Sequence, residues 1–184
     1  WTLGSDGVME KGQLRAEFTL LYPSSDVTRQ SLALAVADMV KTAGIQIHVE
    51  GKSWDDLYRA MHSNAVLFGW GSHDPLEMYN LHASGMKGIE YYNPGYYENP
   101  TVDAWMDKAL KARTEEEANE YWKNAQWDGE TGLSALGDAP WAWLVNIDHL
   151  YVVRENLDIG KQPIQPHGHG WPITGNIEEW KWMN

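Results

Sequence analysis

The first part of the chain alternates between strand-like and helix-like spacings of apolar residues. Alternating or continuous apolar runs predict strands at 15–22, 45–50 and 65–70. Between them, apolar residues at helical spacing over 26–44 and a capping pattern that begins at Ser53 predict two helices. This order is typical of an α/β fold with a largely parallel sheet flanked by helices. In such sheets, ligands bind beyond the carboxyl ends of the strands.

The second part of the chain predicts helices first and strands later. A short helix is expected over 76–83. Asn99 followed by proline, and Thr114 followed three residues later by glutamate, are signals for the start of two longer helices. Apolar runs at 141–146 and 149–153 predict two late strands. Gly4-Ser5-Asp6-Gly7 and Lys11-Gly12 are expected to form a turn and a loop, because glycine and aspartate supply the unusual backbone angles that turns need.

Charge and composition exclude several classes of function. The chain has 14 Lys+Arg against 26 Asp+Glu, a formal net charge of -12, which argues against nucleic acid and anionic membranes as partners. It has no cysteine, so disulfides, thiolate zinc sites and cysteine nucleophiles are excluded. No apolar run approaches the roughly 18 residues of a membrane span. Catalytic and nucleotide-binding motifs are also missing from the sequence, so we expect neither an enzyme nor a cofactor.

The aromatic residues are unusual in kind, with 11 Trp and 9 Tyr against 2 Phe. Trp and Tyr rings carry a polar N–H or O–H group, so they suit surfaces where one end of the ring packs against protein and the other contacts water. Trp105 and Trp122 lie on helical stripes and are expected in the core. The tyrosines of the 91–97 loop lie on no such stripe, and loop aromatics are better candidates for recognition. Tyr92 and Asn93 are the members of this loop that we predict to contact a ligand.

The segment that follows the third strand is the sharpest local signal. Trp70 offers an apolar wall, and Asp74 offers a carboxylate for a cationic group such as an amine. In a purely structural interpretation, Trp70 is core and Asp74 caps a helix that begins at Pro75. The two interpretations are compatible. The full set of predicted ligand-binding residues is Trp70, Gly71, Ser72, His73, Asp74, Tyr92 and Asn93.

The histidines do not predict a built-in metal site. His73 and His82 have neither the i, i+4 spacing of helical ligands nor the tight spacing of a strand pair. A second pair, His167 and His169, lies among proline and glycine. We therefore expect no resident metal.

The order of several short elements resembles a known family. The chain is similar to the C-terminal part of the family 5 extracellular solute-binding proteins, which are peptide- and nickel-binding receptors of ABC importers. The segments that carry the resemblance, spread over nearly the whole chain, are Asp6-Gly7-Val8, Ala43-Gly44-Ile45, Ser53-Trp54, Phe68-Gly69-Trp70, Asp74-Pro75 and 97–103. None of them is specific alone, whereas their order and spacing together are.

The resemblance implies one lobe of a two-lobed, extracytoplasmic receptor that encloses its ligand by hinge closure. It implies a periplasmic-binding-protein-like (type II) C-terminal lobe, with residues 1–140 as the distal ligand-binding lobe. Residues 141–184 are then strands and a tail that return toward a first lobe absent from this chain. The implied receptor is a monomer, lipid-anchored in full length, whose partners are a small solute and the membrane subunits of an ABC importer.

The resemblance also implies roles for particular residues. In peptide-binding members, an aspartate in the loop after the Gly-Trp strand holds the α-amino group of the ligand, and Asp74 is the matching position. Peptides or similar small solutes are therefore the first expectation. Nickel or a nickel chelate is the alternative, because nickel-binding members use a Trp-Gly pair and a histidine; Trp70-Gly71 matches that pair, and His73 or His82 is the corresponding histidine.

A carbohydrate-binding module or glycosidase fragment is the alternative from another class. Such proteins also favour exposed tryptophan and an acidic surface. Sugar-binding modules are mostly antiparallel sandwiches, however, and the helical pattern over 26–44 argues against that architecture.

Overall fold

The computed structural model describes residues 1–70, 74–146, 150–162 and 173–183. The chain opens with a small antiparallel sheet, in the order β1-β2-β3. Its strands are β1 (Thr2–Leu3), β2 (Met9–Lys11) and β3 (Leu14–Arg15). Arg15 pairs with the carboxylates of Asp6, Glu10 and Glu17, which ties this sheet to the strand that follows. The expectation of turns and loop alone over 4–12 was therefore incomplete, because these short strands carry little apolar periodicity.

A three-stranded parallel sheet forms the centre of the first half. Strand β4 lies in the middle, and β5 and β6 run parallel to it on either side. The elements are β4 (Glu17–Pro23), α1 (Val27–Val40), β5 (Gln46–Lys52), α2 (Trp54–Ala60) and β6 (Ala65–Val66). The β4–β5 register extends from Glu17 opposite Gln46 to Pro23 opposite Lys52. The predicted α/β fold with a parallel sheet and flanking helices is confirmed.

Local capping fixes where the two helices begin and end. The Asp26 carboxylate accepts the N–H of Arg29 at 2.9 Å, and the Ser53 hydroxyl accepts the N–H of Asp56 at 3.2 Å. Gly44, at φ +73°, ends the turn that follows α1 in the left-handed conformation that glycine adopts without strain. The core between α1 and the sheet consists of Leu20, Tyr22, Ala33, Ala37, Ile47 and Leu67.

The third predicted strand is shorter than expected. Only Ala65 and Val66 pair with β4, and the N–H of Leu67 adds one further bond to the carbonyl of Leu21 at 2.8 Å. The prediction of a strand over 65–70 was wrong for its last residues, because the chain leaves the ladder there. The apolar side chains at positions 68 and 70 are half-buried among other aromatic rings.

Three helices form the second half. They are α3 (Leu76–His82), α4 (Pro100–Lys111) and α5 (Glu115–Gln126). The predicted caps are confirmed: Asn99 accepts the N–H groups of Thr101 and Val102, and Thr114 accepts that of Glu117. Helices α4 and α5 pack against each other around a second core, which consists of Ala83, Val102, Met106, Ala109, Trp122 and Ala125.

The two predicted late strands are not present in the described chain. Residues 141–146 and 150–153 adopt no regular structure, and His149 lies outside the described residues. A strand needs a neighbour for its N–H and C=O groups, and no described strand pairs with these segments. Most of their apolar side chains are instead exposed, Trp143 to 73% and Val152 completely, whereas Trp141 is half-buried. The prediction of strands in this region was therefore wrong for these segments.

One short sheet does form near the end of the chain. Strand β7 (Leu157–Asp158) pairs antiparallel with β8 (Lys181–Trp182). The histidine pair at 167 and 169 lies outside the described residues. In the part of the chain that the structure describes, no helix combines the length and apolarity needed to cross a membrane.

Candidate ligand-binding site

An aromatic cleft lies just beyond the carboxyl end of β6. Its volume is about 420 Å³, and it is lined by Trp54, Phe68, Gly69, Trp70 and Tyr91. Trp54 begins α2, the next three residues follow β6, and Tyr91 comes from the loop before α4. Segments that are distant in sequence therefore meet at the edge of the parallel sheet where ligands of this fold class bind.

The rings of the cleft hold one another in place. Trp54 stacks on Phe68 with 6.2 Å between ring centroids, and Tyr91 meets both rings edge-on, at 5.6 and 5.8 Å. Trp70 meets Phe68 edge-on at 6.3 Å, and Tyr92 stacks behind Trp70 at 6.1 Å. These offset and edge-to-face arrangements are the favoured ones for aromatic pairs. The cleft is therefore a preformed apolar surface.

The indole of Trp70 is distinct among these rings. Its Nε1 is buried and has no hydrogen-bond partner among the described residues. A buried donor without a partner carries a desolvation penalty, and such groups in a folded protein call for an explanation. Trp70 forms part of the cleft wall, and its predicted contact with a ligand stays a prediction.

Asp74 caps the helix that follows it. Its Oδ1 accepts the N–H of Leu76 at 2.8 Å, and its main-chain carbonyl accepts the N–H of Glu77 at 2.9 Å. The structural interpretation of this residue is thus confirmed. Asp74 is also exposed, and its predicted contact with a ligand stays a prediction. Gly71, Ser72 and His73, also predicted to bind ligand, lie outside the described residues.

Tyr92 and Asn93 have different positions. Tyr92 is half-buried behind Trp70, whereas Asn93 is 1% exposed. The Asn93 amide donates to the carbonyls of Ala83 and Tyr97 at 3.0 and 2.9 Å, and its Oδ1 accepts the N–H of Tyr97 at 2.9 Å. These bonds hold the loop that carries the tyrosines. The geometry therefore gives Asn93 a supporting position rather than a place on the cleft wall.

Charged groups stand beside the cleft but do not line it. A β-carbon at Gly69 would lie 2.9 Å from Nη2 of Arg29, so glycine is what lets this guanidinium approach the wall. Arg29 is paired with Asp26, whose pKa is lowered by the backbone N–H of Arg29 and by the guanidinium. On the opposite side, burial and then the charge of Asp55 raise the pKa of Tyr91. The wall itself is almost entirely apolar.

His82 faces a protein interior. It is 5% exposed, packs edge-on against Tyr97 and Trp141, and donates from Nδ1 to the carbonyl of Met78 at 2.9 Å. Burial lowers its pKa, so the neutral form is favoured. Among the described residues, no three His, Cys, Asp or Glu side chains are grouped as a metal site would require.

Sequence reasoning missed part of the cleft wall. Trp54, Phe68 and Gly69 were not among the predicted ligand-binding residues, and Tyr91 was singled out only as one tyrosine of its loop. Trp54 lies directly after a helix cap, where a tryptophan is as compatible with packing as with recognition. Its 43% exposure, which decides between the two, is a property of the tertiary structure.

Comparison with known proteins gives relatives that are much longer than this chain. The chain is 35% identical to Protein XP55 of Streptomyces lividans, with 86% of the chain covered but 28% of that protein. It is 25% identical to the oligopeptide-binding protein AppA of Bacillus subtilis, with 97% of the chain and 31% of that protein covered. No family model matches the chain.

Solved structures give the same result. The crystal structure of NikZ from Campylobacter jejuni in complex with Ni(L-His) matches 67% of this chain and 26% of that one, with a TM-score of 0.60 and 26% identity. AppA of Bacillus subtilis in complex with a nonapeptide matches with a TM-score of 0.54 and 22% identity, over 67% of this chain and 25% of that one, which supports the fold.

These matches confirm the resemblance inferred from the sequence. The fold is that of a single, partial lobe of a periplasmic-binding-protein-like receptor. The chain is similar to part of a lobe of the family 5 extracellular solute-binding proteins, and it spans about 30% of the length of the curated relatives that it matches.

Proposed function

We propose that this chain supplies one wall of the ligand site in a solute receptor of an ABC importer, and that it carries out no catalysis. The observation that carries the proposal is the preformed aromatic cleft at the carboxyl end of β6, whose wall includes Trp70, an indole with no hydrogen-bond partner among the described residues. The relatives are binding proteins, one with a nonapeptide and one with a nickel complex. The receptor acts outside the cytoplasm, and lipid anchoring is part of the same proposal.

Peptides are the ligands that we favour. Asp74 is exposed at the start of α3, next in the described chain after Trp70. An exposed carboxylate suits the ammonium group of a peptide, because a charge-assisted hydrogen bond is stronger than a neutral one. In this proposal Asp74 both binds the first turn of its helix and holds the ligand's α-amino group, and Ser72 and His73 are further predicted contacts of the ligand.

Replacing Asp74 by asparagine tests the amine contact in the full-length receptor. Asparagine is an equally good cap, so α3 keeps its start while the charge is lost. We expect Asp74→Asn to weaken binding of the peptide Ala-Phe-Ala by about 1.5–3 kcal/mol in calorimetry. The N-acetylated peptide, which has no ammonium group, is expected to bind wild type and variant equally.

Asp38→Asn provides the matched control, because Asp38 is an exposed carboxylate on α1 that pairs with the neighbouring Lys41 at 3.3 Å. Asp38→Asn is expected to change neither the affinity for the free peptide nor the affinity for the N-acetylated peptide. Equal affinities of wild type and Asp74→Asn for the free peptide would contradict the role of Asp74.

A nickel chelate is the second candidate, favoured by the match to NikZ in complex with Ni(L-His). His82 supports it poorly, because that side chain is buried and hydrogen-bonded within its own helix. The experiment is a thermal unfolding scan of the full-length receptor with the nickel–histidine complex. A rise in the melting temperature would favour nickel over peptides, since a ligand that binds only the native state stabilises it.

The carbohydrate alternative is not supported by the fold. Sugar-binding modules are mostly antiparallel sandwiches, whereas the central sheet here is parallel with helices packed on it.

A further inference from the structure

We infer that the aromatic cleft is a pocket for one neutral aromatic side chain of the ligand. The inference rests on the proposed function and narrows its ligand class. Four aromatic rings and one glycine line the cleft, and no charged side chain of the described residues is part of its wall. Such a wall stabilises an apolar group by burial and by favourable ring geometry, and it offers little to a polar one.

The size of the cleft fits a side chain rather than a whole peptide. Its volume of about 420 Å³ lies near the lower end of ligand pockets, which are about 300–1,000 Å³. A β-carbon at Gly69 would lie 2.9 Å from Nη2 of Arg29, and glycine leaves the wall between Phe68 and Trp70 without a side chain. A planar ring is the shape that such a space accommodates.

Cations also bind to aromatic faces. The charges near the cleft therefore decide whether it favours a cationic or a neutral aromatic group of the ligand. Burying a cation is costly unless a carboxylate accompanies it. Asp55 is close enough to influence Tyr91 but does not line the cleft, and the guanidinium of Arg29 stands beside Gly69. The cleft therefore favours a neutral ring.

The experiment is a nuclear magnetic resonance titration of the ¹⁵N-labelled 184-residue chain. The indole N–H signals of Trp54 and Trp70 are assigned from the variants Trp54→Ala and Trp70→Phe. The probe is N-acetyl-phenylalaninamide, which has no indole signal of its own. N-acetyl-glutaminamide is the polar probe of similar size, and tetramethylammonium is the cationic probe.

We expect the phenylalanine probe to shift the signals of Trp54 and Trp70, and the other two probes to leave them in place. Trp54→Ala is expected to weaken binding of the phenylalanine probe at least tenfold. The control is Trp143→Ala, which removes a tryptophan that is 73% exposed and outside the cleft, and it is expected to leave binding unchanged.

Two outcomes overturn the inference. One is that the glutamine probe or tetramethylammonium shifts the two signals at the same or lower concentration. The other is that Trp54→Ala leaves the affinity for the phenylalanine probe unchanged. If either occurs while Asp74→Asn still weakens peptide binding, the aromatic pocket is wrong and the proposed function stands. If the phenylalanine probe binds but Ala-Phe-Ala does not bind the full-length receptor, the proposed function is wrong and the pocket stands.

Discussion

The aromatic cleft and the α4–α5 helix pair use the same residue types in opposite ways. In the helix pair, Trp105 stacks on Tyr121, donates from Nε1 to Asp128 at 3.1 Å and has the Lys108 ammonium over its ring. In the cleft, the Nε1 of Trp70 has no partner among the described residues. An indole N–H that is hydrogen-bonded within the chain, as in Trp105, has a structural role, whereas the Trp70 N–H, with no partner among the described residues, agrees with the binding role proposed for the cleft. The hydrogen-bond partners of the indole N–H groups therefore distinguish two kinds of aromatic cluster that the amino-acid composition alone does not distinguish.

The first way to test this comparison is to truncate one side chain in each region. Met106 is completely buried in the helix pair, so Met106→Ala is expected to lower the free energy of unfolding by about 2–5 kcal/mol. Trp54 is 43% exposed, and Trp54→Ala is expected to cost only about 0.5–1.5 kcal/mol, the worth of its aromatic contacts. Urea denaturation followed by circular dichroism measures both. Equal losses would mean that the cleft is as much a part of the core as the helix pair.

The second test concerns the support of the tyrosine loop. Asn93→Ala removes three hydrogen bonds to the backbone and places alanine at φ +37°, which only a few residue types tolerate. The expected cost is about 2 kcal/mol, because buried main-chain groups lose their partners. Asn80→Ala, which removes a single 3.3 Å contact to Glu77, is the control and is expected to cost less than about 1 kcal/mol. If Asn93→Ala proves as mild as the control, the loop is held by other contacts.

The third test compares the two indole groups directly. Trp105→Phe removes the bond to Asp128, whereas Trp70→Phe removes a donor that has no described partner. Both changes lose similar ring volume, so the difference between them reports the hydrogen bond together with the Lys108 cation–π contact of Trp105. We expect Trp105→Phe to be the more destabilising by about 1 kcal/mol in urea denaturation. A larger loss for Trp70→Phe would show that its indole nitrogen is bonded in solution.

The smallest expected effect is a pH dependence of the free energy of unfolding that arises from His82, at the end of α3. Burial lowers the pKa of His82 in the folded chain, so the unfolded chain binds a proton first as the pH falls. The stability that the neutral imidazole contributes is present above the ordinary histidine pKa of about 6.5 and declines below it. Unfolding free energies of wild type and His82→Gln, measured between pH 8 and pH 5, are expected to differ in slope in that window. Parallel curves would show that His82 is not buried as a neutral group.

Much of the fold follows from local signals in the sequence. Asp26, Ser53, Asn99 and Thr114 each accept backbone N–H groups at the helix starts where the sequence placed them. Capping depends on residues three positions apart at most, which is why it can be inferred without tertiary structure. The parallel sheet follows from the order of those elements.

The cleft could be predicted only in part, because its wall is assembled from distant positions. Trp70 was found through its place after a strand, but Trp54 and Tyr91 meet it only in the folded chain. The late strands failed for a related reason. The apolar pattern at 141–146 describes what the segment favours, whereas pairing depends on a neighbour that no described residue supplies.

The exposed apolar segment at 150–153 has a consequence for the isolated chain. Leu150 is 91% exposed and Val152 completely so, and contiguous exposed apolar side chains favour association between copies of a chain. The net charge of -12 opposes that association, since copies of the chain repel one another. Salt shortens the range of the repulsion to about 8 Å at 0.15 M ionic strength. Colloidal behaviour therefore depends on ionic strength, and dilute buffer well above the isoelectric point of about 4.9 keeps the copies apart.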